Sequence, residues 1–565
     1  MKLGDYTGVP VEKLKEILVP SGYIEEGLFE SAMQEAAKKR VPIESLIVEK
    51  GLISDEHLGR AIADSLNYYF IDLKNIAISE DLLNLIPEAV ARAQGSILFD
   101  RVGDNLKLAT FKPHNYEFLK FLERKIGRKI EIYYATPLGI EVALKSYRSD
   151  WIMAAKDLIT DLEANPKNEE NIVKLVNLFL EYAHDSNASD IHIEPLEGRA
   201  LVRFRIDGIL HEVMSYSKNM HDRIVSRIKI LSRLRTDEHA AAQDGRFDHK
   251  KDQVGIDVRV SILPVTDGEN VVMRLLTERM RRLSLEELGL TGKDLEKVKA
   301  AMVKPYGMIL SVGPTGSGKT TTLYAVLQIL NKPEVNIMTI EDPVEYDIEH
   351  IQQTQVNPAK NLLFSTGLRS IVRQDPDIVM VGEIRDNETA DIAVNAAMTG
   401  HLFLSTLHAN DAATTFPRLL EMGIEPFLVA SSVNVVVAQR LVRKVCSFCK
   451  LSYFLTEEEL KILDSLPHVP QMIQETYKKE DISKIRFYKG SGCKICNYTG
   501  YSGRTGIFEV LEVTKEMRLL IVQRMSADVI DEEAKKLGMT SMMQDGMVKV
   551  FQGVTTIDEV VRAVK

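Results

Sequence analysis

The chain has 565 residues, 45% of them hydrophobic and 27% charged, which is an ordinary globular composition with length for several domains. Its net charge of −10 argues against a general nucleic-acid-binding protein. It contains no run of 18 apolar residues and no basic segment followed by an apolar leader, so we expect a cytosolic protein that is neither secreted nor membrane-spanning.

Residues 1–66 are predicted to form short amphipathic helices with an internal repeat. The stretch that starts at Lys13 recurs 29 positions later at Pro42, and each copy continues into a second apolar helix. Such repeats are typical of stacked helical units, so a plain helical packing module is the first interpretation. Residues 67–150 mix strand-like and helix-like runs, which predicts a small α+β domain without a catalytic constellation.

A polar stretch, residues 151–170, precedes the next domain. It is rich in acidic and amide side chains and contains a proline, which indicates a linker. Residues 171–283 predict a helix and alternating strands, with a hairpin turn at Asp207. Arg203 and Arg205 share one strand face, which either faces solvent or offers guanidinium groups to phosphates in trans.

Residues 284–435 contain the strongest functional signal, a glycine-rich turn between a strand and a helix. An apolar run precedes the turn and a helix-like run follows it, which is the context of a phosphate-binding P-loop. Helix N-termini and glycines offer backbone N–H groups to phosphates, and we expect Lys319 to reach the β- and γ-phosphates and the Thr320 hydroxyl to bind Mg²⁺. The predicted nucleotide-binding residues are Gly313, Pro314, Thr315, Gly316, Ser317, Gly318, Lys319, Thr320 and Thr321.

Further apolar strands of this domain end in polar residues, which predicts a parallel α/β sheet with its ligand crevice at the carboxyl ends of the strands. Glu345 follows one strand and is a candidate for activating water, and Glu383 follows another in the Walker-B position. His401 and His408 flank a third strand, where they would either sense the γ-phosphate or have a structural role.

All four cysteines lie within residues 436–511, in two Cys-x-x-Cys pairs. Cys446, Cys449, Cys493 and Cys496 offer four thiolates, enough to close a tetrahedral structural zinc site. The connection between the pairs is long and must loop out, and a redox pair or a metal-free fold is the alternative. The remaining residues, 512–565, are predicted to be helical.

Several motifs together resemble the secretion-type hexameric ATPases, a family that includes the motors of type IV pilus assembly and of type II secretion. Residues 339–345 resemble the family's Asp box, residues 373–386 its Walker-B segment and residues 399–410 its His box. Residues 189–194 and 243–246 resemble the signatures of its second N-terminal domain, which is PAS-like. The resemblance covers all but about the first 70 residues.

The resemblance implies a multidomain α/β and α+β protein. A RecA-like P-loop parallel sheet would follow a PAS-like domain and an N-terminal helical and α+β region, with a zinc-binding C-terminal insertion. The implied activity is that of an ATPase that uses ATP, Mg²⁺ and Zn²⁺ and works as a homohexamer, with Glu383 as the Walker-B glutamate and Glu345 as the catalytic glutamate. Arginines of the PAS-like domain would complete the nucleotide site in trans, with Arg203, Arg205 and Arg246 as the candidates.

The retraction members of this family lack the extra N-terminal domain and the tetracysteine site. Both features are expected here, which favours pilus assembly from the cytoplasmic face of the inner membrane, through a membrane platform protein. A type II secretion or competence motor is the closest alternative. A DNA-translocating motor fits poorly with the net charge of −10 and the lack of basic-aromatic stretches, so no nucleic-acid partner is expected.

The N-terminal repeat resembles a domain that binds cyclic di-GMP in some relatives, through an Arg-Leu-Gly turn. The corresponding turns here begin with Lys13 and Pro42 and carry Lys15 and Glu44 in place of the glycine. The guanidinium fork and the glycine are both missing, so cyclic di-GMP is only a weak secondary expectation.

Overall fold

The structure is a computed structural model that describes residues 9–39, 42–76, 78–144, 146–165, 168–251, 254–277, 283–465, 485–493 and 496–564. Among the helices of these residues, none is both long and apolar enough to cross a membrane.

The described residues of 9–144 form four helices and then a four-stranded sheet, with further helices between and after its strands. Buried side chains of both parts, such as Phe29, Ile62, Leu108 and Ile140, belong to one hydrophobic cluster. The predicted division into 1–66 and 67–150 therefore separates two halves of one packed unit. The helices are Val11–Leu18, Glu26–Lys39, Ile43–Glu49, Asp55–Ser65, Glu80–Leu83, Glu88–Gln94, Tyr116–Ile126 and Pro137–Leu144; the strands are β1 (Tyr69–Phe70), β2 (Ser96–Val102), β3 (Asn105–Thr110) and β4 (Ile130–Tyr134), in the order β1-β4-β3-β2.

The predicted linker at 151–170 is wrong over most of its length. Residues Ser146–Ala164 form a helix that is followed by the helix Glu169–Asp185, while residues 166 and 167 lie outside the described residues. Trp151 stacks on Tyr182 with ring centroids 3.8 Å apart, and Leu162 is fully buried in the same cluster. Asp157, Asp161 and Glu163 lie on the exposed face of the first helix, and its apolar face packs into the core of the domain that follows.

The described part of residues 171–283, which were predicted to be PAS-like and are called the PAS-like domain below, contains an antiparallel sheet of six strands in the order β7-β6-β5-β10-β9-β8. Its tight hairpin carries Asp207 and Gly208 with φ of 51° and 87°, as the Asp-Gly pair predicts. The helix His221–Leu231 packs on the sheet. The strands are β5 (Ala188–Pro195), β6 (Arg199–Ile206), β7 (Ile209–Ser217), β8 (Gln243–Lys251), β9 (Val254–Val265) and β10 (Gly268–Thr277).

The P-loop domain is built on a seven-stranded sheet in the order β13-β12-β14-β15-β11-β16-β19. Six strands are parallel, and only the edge strand β19 runs antiparallel to its neighbour. Because these six strands are parallel, their carboxyl ends lie side by side along the sheet. The strands are β11 (Gly307–Val312), β12 (Ile337–Glu341), β13 (Ile351–Gln355), β14 (Ile378–Val381), β15 (Leu402–Leu407), β16 (Val433–Val445) and β19 (Tyr501–Glu512); the helices are Gly292–Met302, Lys319–Leu330, Phe364–Ile371, Asn387–Met398, Thr415–Glu421 and Pro426–Ser432.

The predicted boundaries at 435 and 511 do not match the fold. Strand β16 continues to Val445, and β19 returns to the same sheet, so only the segment between them forms the tetracysteine insertion. That segment contains β17 (Lys450–Phe454), the helix Glu457–Ser465 and β18 (Arg486–Gly490), and residues 466–484 lie outside the described residues. The C-terminal helices pack on the same core as the sheet; they are Lys515–Val522, Ala527–Lys536, Met542–Phe551 and Ile557–Val564.

Candidate active site

The glycine-rich turn lies at the carboxyl ends of the parallel strands, between β11 and the helix Lys319–Leu330. Gly313 and Gly318 have φ of 148° and 91°, a region that favours glycine. A Cβ at Gly313 would lie 2.6 Å from the Ser317 Oγ and 2.7 Å from the Gln439 carbonyl oxygen. The turn is therefore tight enough to require glycine, and it leads into a helix N-terminus, where backbone N–H groups lack intrahelical partners.

Lys319 lies inside this turn. Its Nζ donates hydrogen bonds to the Gly313 and Pro314 carbonyl oxygens at 2.9 and 3.0 Å. Burial lowers the pKa of Lys319, while the nearby carboxylate of Glu383 raises it and Arg440 lowers it further. A cation held mainly by carbonyl dipoles, in a partly desolvated turn, is well placed to take an anionic partner.

Gln439 supports the turn from β16, although it was not among the predicted site residues. Its Nε2 donates to the Ser317 carbonyl oxygen at 2.7 Å, and its Oε1 accepts from the Thr322 hydroxyl at 2.7 Å. The side chain is buried, at 2% exposure. The available signal was its position after the apolar run 435–438 of one strand. A polar side chain in such a buried strand must find hydrogen-bond partners, which indicates a supporting role.

Glu383 and His408 meet beside the turn. Strand β15 lies between β14 and β11, so the residues that follow these three strands are neighbours at one edge. The Glu383 carboxylate contacts the His408 Nε2 at 3.3 Å and the Arg385 guanidinium at 2.6 Å. The tertiary structure thus brings a carboxylate and an imidazole next to the Lys319 turn.

Glu345 lies in the loop that follows β12, and an arginine of the PAS-like domain holds it. Arg259 of β9 pairs with the Glu345 carboxylate at 2.9 Å and donates to the Glu345 carbonyl oxygen at 3.0 Å. The same guanidinium also donates to the Val344 carbonyl oxygen. Arg259 was not among the predicted site residues, although its alternating strand was recognised, because nothing local in the sequence indicates which loop it reaches.

His401 lies at the amino ends of the parallel strands, whereas the phosphate-binding turn follows their carboxyl ends. Its predicted place beside the γ-phosphate is therefore wrong for the site of its own chain. It precedes β15, and its carbonyl oxygen accepts from the Gly307 N–H at the start of β11. Its Nδ1 contacts the Ala396 carbonyl oxygen at 3.0 Å. The six residues of β15 separate it from His408 by about 20 Å at the usual rise per residue. His401 therefore lies away from the phosphate-binding turn of its own chain, and its contacts join the start of β15 to the preceding helix and to β11.

The three arginines predicted to act in trans have different surroundings. Arg203 pairs with Glu194 at 2.5 Å, and Arg205 pairs with Asp190 at 3.4 Å, so both are held by acidic side chains of their own sheet. Arg246 lies directly opposite Arg259 in the antiparallel pair of β8 and β9. Opposite residues share a face, so Arg246 faces the same side as the arginine that reaches Glu345. Its action in trans stays a prediction.

The four cysteines converge at the base of the insertion. Sγ–Sγ distances are 3.9 Å for Cys446–Cys493, 3.8 Å for Cys449–Cys496 and 3.7 Å for Cys493–Cys496. A tetrahedral zinc ion with Zn–S bonds of about 2.3 Å requires edges of about 3.8 Å, so the donor set fits.

The thiols are electrostatically unequal. Burial raises the pKa of Cys446 to about 11. Burial also acts on Cys496, but the backbone N–H groups of Cys493 and Gly500 outweigh it and lower the pKa of that thiol to about 7. The four-cysteine cluster is consistent with zinc binding.

The repeat turns of the N-terminal unit offer little to an anionic ligand. Lys15 is already paired with Glu26 and Glu30 at 2.7 and 3.0 Å. In the second copy, the turn carries a buried carboxyl group, that of Glu44. Cyclic di-GMP binding stays a prediction, and these contacts weigh against it.

The chain is similar to known proteins over most of its length. The family described as type II/IV secretion system protein matches residues 165–562, and the MshEN domain matches residues 66–150. The type IV pilus assembly ATPase PilB of Myxococcus xanthus is 39% identical over 97% of this chain and 98% of its own length. The type II secretion system ATPase E of Vibrio cholerae is 45% identical over 72% of this chain and 80% of its own length.

Among solved structures, the ATPase DotB of Yersinia pseudotuberculosis is similar in fold, with a TM-score of 0.50 at 18% identity, over 69% of this chain and 92% of that one. The family match spans well over half of the chain, and the relative from M. xanthus is matched over nearly its full length. The resemblance found in the motifs is thereby confirmed: the chain belongs to the type II/IV secretion system protein family.

Proposed function

We propose that this protein is an ATP-hydrolysing motor that works as a homohexamer and powers type IV pilus assembly. It would act from the cytoplasmic face of the inner membrane, through a membrane platform protein. The observation that carries this proposal is the convergence of Lys319, Glu383 and His408 at one edge of the sheet, with Glu345 in the adjoining loop. Phosphoryl transfer needs a turn that binds the phosphates, a cationic side chain, and carboxylates that hold the metal ion and orient water. The residues named above supply each of these parts.

Each residue has a role in this proposal. The backbone of residues 313–318 and Lys319 bind the phosphates, and Lys319 exchanges its two carbonyl partners for phosphate oxygens. Thr320 would bind Mg²⁺, Glu383 would help to hold the metal as the Walker-B glutamate, and Glu345 would orient or activate water. His408 would respond to the γ-phosphate, and its contact with Glu383 supports this role. Arginines from a neighbouring chain, with Arg246 the best-placed of the candidates, complete the site.

The pilus role is favoured over type II secretion by the extent of the similarity. The pilus assembly relative matches this chain almost end to end, whereas the V. cholerae secretion ATPase matches 72% of it. The higher identity of the latter, 45% against 39%, supports a type II secretion motor as the second candidate. Deletion of the gene separates the two, because loss of surface fibres supports the first role and loss of exported enzymes supports the second.

We also propose that Cys446, Cys449, Cys493 and Cys496 hold a structural zinc ion. The sulfur distances and the mostly buried thiols fit four-thiolate coordination, which leaves no position for a substrate water. The ion would fix the base of the insertion and take no part in hydrolysis.

The test of the motor proposal combines ATPase rate, nucleotide binding and oligomer mass with and without Mg-ATP. Lys319→Ala is expected to abolish nucleotide binding, since the only ammonium in the turn is lost. Glu383→Ala is expected to bind ATP and to hydrolyse it at least about 100-fold more slowly. A Glu383→Ala protein with wild-type turnover would remove this residue from the mechanism, and a monomer under all conditions would refute the hexamer.

A further inference from the structure

Tyr324 connects the P-loop helix to the loop that carries Glu345. It lies in the helix Lys319–Leu330, is 1% exposed, and donates its hydroxyl hydrogen to the Glu341 carboxyl group at the end of β12. The same hydroxyl oxygen accepts the backbone N–H of Glu345 at 3.2 Å. One side chain of the phosphate-binding helix thus bridges a buried carboxyl group and the proposed catalytic loop.

The direction of these hydrogen bonds is set by the surroundings of the hydroxyl. Burial, and then the neighbouring Glu341, raise the pKa of Tyr324 well above its ordinary value, so the phenol keeps its proton and acts as a donor to Glu341. Its oxygen lone pairs remain for the Glu345 N–H. A phenol can donate one hydrogen bond and accept another at the same time, whereas an ionised carboxylate only accepts and an ammonium group only donates.

Glu341 is itself fixed by three donors. Besides Tyr324, it accepts from the Thr339 hydroxyl at 2.5 Å and from the Gln353 Nε2 at 3.1 Å. The residue is 2% exposed, so losing a partner there is costly. Because Glu341 cannot move freely, it anchors the Tyr324 hydroxyl at the point where the Glu345 amide is bound.

Two independent contacts therefore hold Glu345. Tyr324 of the P-loop domain binds its backbone N–H, and Arg259 of the PAS-like domain binds its carbonyl oxygen and carboxylate. If nucleotide binding moved the P-loop helix, the hydrogen bond from Tyr324 would move the Glu345 amide with it. If the two domains moved relative to each other, the ion pair with Arg259 would move the Glu345 carboxylate.

We propose that Tyr324 is a positioning residue, which sets the place of Glu345 relative to the P-loop through the hydrogen bond to the Glu345 amide. The inference rests on the proposed function of Glu345 in hydrolysis. Tyr324 would not touch the nucleotide, so it should affect turnover and leave nucleotide affinity nearly unchanged.

Tyr324→Phe tests this role, because it keeps the buried ring and removes only the hydroxyl. We expect kcat to fall about tenfold, with the KM and the ATP Kd changed by less than about twofold. Tyr306→Phe is the matched control: it makes the same chemical change at an exposed tyrosine that precedes β11, and the variant should retain wild-type turnover. A Tyr324→Phe protein with unchanged kcat, or with loss of ATP affinity equal to its loss of rate, would overturn the inference.

A double-variant cycle separates this inference from the proposed function. If Tyr324 acts through Glu345, adding Tyr324→Phe to Glu345→Gln should cause no further loss of rate, whereas an equal additional loss means that it acts elsewhere. A slow Glu345→Gln with a normal Tyr324→Phe refutes only the positioning role. Wild-type turnover of Glu345→Gln refutes both.

Hydrogen exchange on the wild-type chain provides a measurement that does not depend on how a variant folds. The Glu345 amide should be protected, because it donates to a buried hydroxyl. Exchange at the rate of an exposed loop amide would overturn the contact itself.

Discussion

Replacing Gln439 with leucine is the sharpest test of how the phosphate-binding turn is supported. The substitution keeps a side chain of similar size in a buried strand position and removes both hydrogen bonds. The Ser317 carbonyl oxygen and the Thr322 hydroxyl then lose partners that lie at 2.7 Å. The turn should lose its fixed position against β16, while the rest of the sheet keeps its packing.

The magnitude follows from those two bonds. A neutral hydrogen bond contributes about 1 kcal/mol net, and a buried group left without a partner costs about 1–3 kcal/mol. For two bonds we expect the free energy of unfolding of the P-loop domain to fall by about 2–4 kcal/mol, after the gain from burying an apolar leucine is included. Nucleotide affinity should fall about tenfold, because the Ser317 peptide belongs to the phosphate-binding turn.

A thermal melt and a titration with a fluorescent ATP analogue measure both effects. Gln523→Leu is the control, since it makes the same chemical change at an exposed position. If Gln439→Leu melts and binds nucleotide as Gln523→Leu does, the two hydrogen bonds do not support the turn and the reasoning fails.

Three other predictions concern the two histidines that flank β15, the cysteine cluster and a buried carboxyl group. His408→Asn should slow ATP turnover about tenfold or more, whereas His401→Asn should leave turnover within about twofold of wild type, since His401 lies at the far edge of the sheet; equal losses in a steady-state assay would contradict this assignment. Metal analysis should find about one zinc ion per chain, and chelation should lower the melting temperature; a stable chain without metal would rule out the site. Burial raises the pKa of Glu509 from 4.5 to about 7, so the folded chain holds a proton that the unfolded chain releases, and the free energy of unfolding should fall by up to about 3 kcal/mol as the pH rises across this interval. Glu509→Gln should flatten that dependence in denaturant titrations at pH 5 and pH 8; an unchanged slope would show that another group causes it.

Local chemistry made part of this protein readable from its residues. The P-loop depends on glycines, a lysine and a hydroxyl within one turn, and the Asp-Gly hairpin depends on two adjacent residues. The cysteine pairs have the spacing of metal-binding knuckles, and their meeting in space was inferred from chemistry alone. Glu383 could be placed because a carboxylate after an apolar strand of a parallel sheet must lie at the ligand edge.

Contacts between distant segments were not readable in this way. Gln439, Arg259 and Tyr324 come from three different strands or helices, and no local spacing indicates which groups they meet. The helix Ser146–Ala164 was mistaken for a linker because its exposed polar face dominates its composition. The helical spacing of Trp151, Ala155, Ile159 and Leu162 was present in the sequence, and the structure shows the core into which they pack.

The two histidines show most clearly where sequence ends and tertiary structure begins. The sequence by itself determined that His401 and His408 flank one strand, and that a nucleotide turn follows another. The strand between them, six residues long, separates them by about 20 Å. Only the strand order, with β15 between β14 and β11, decided that His408 lies beside Glu383. The physical reason is that the end of a strand on which a side chain lies is fixed by the local sequence, whereas the neighbours of that strand depend on pairing with segments far away in the chain.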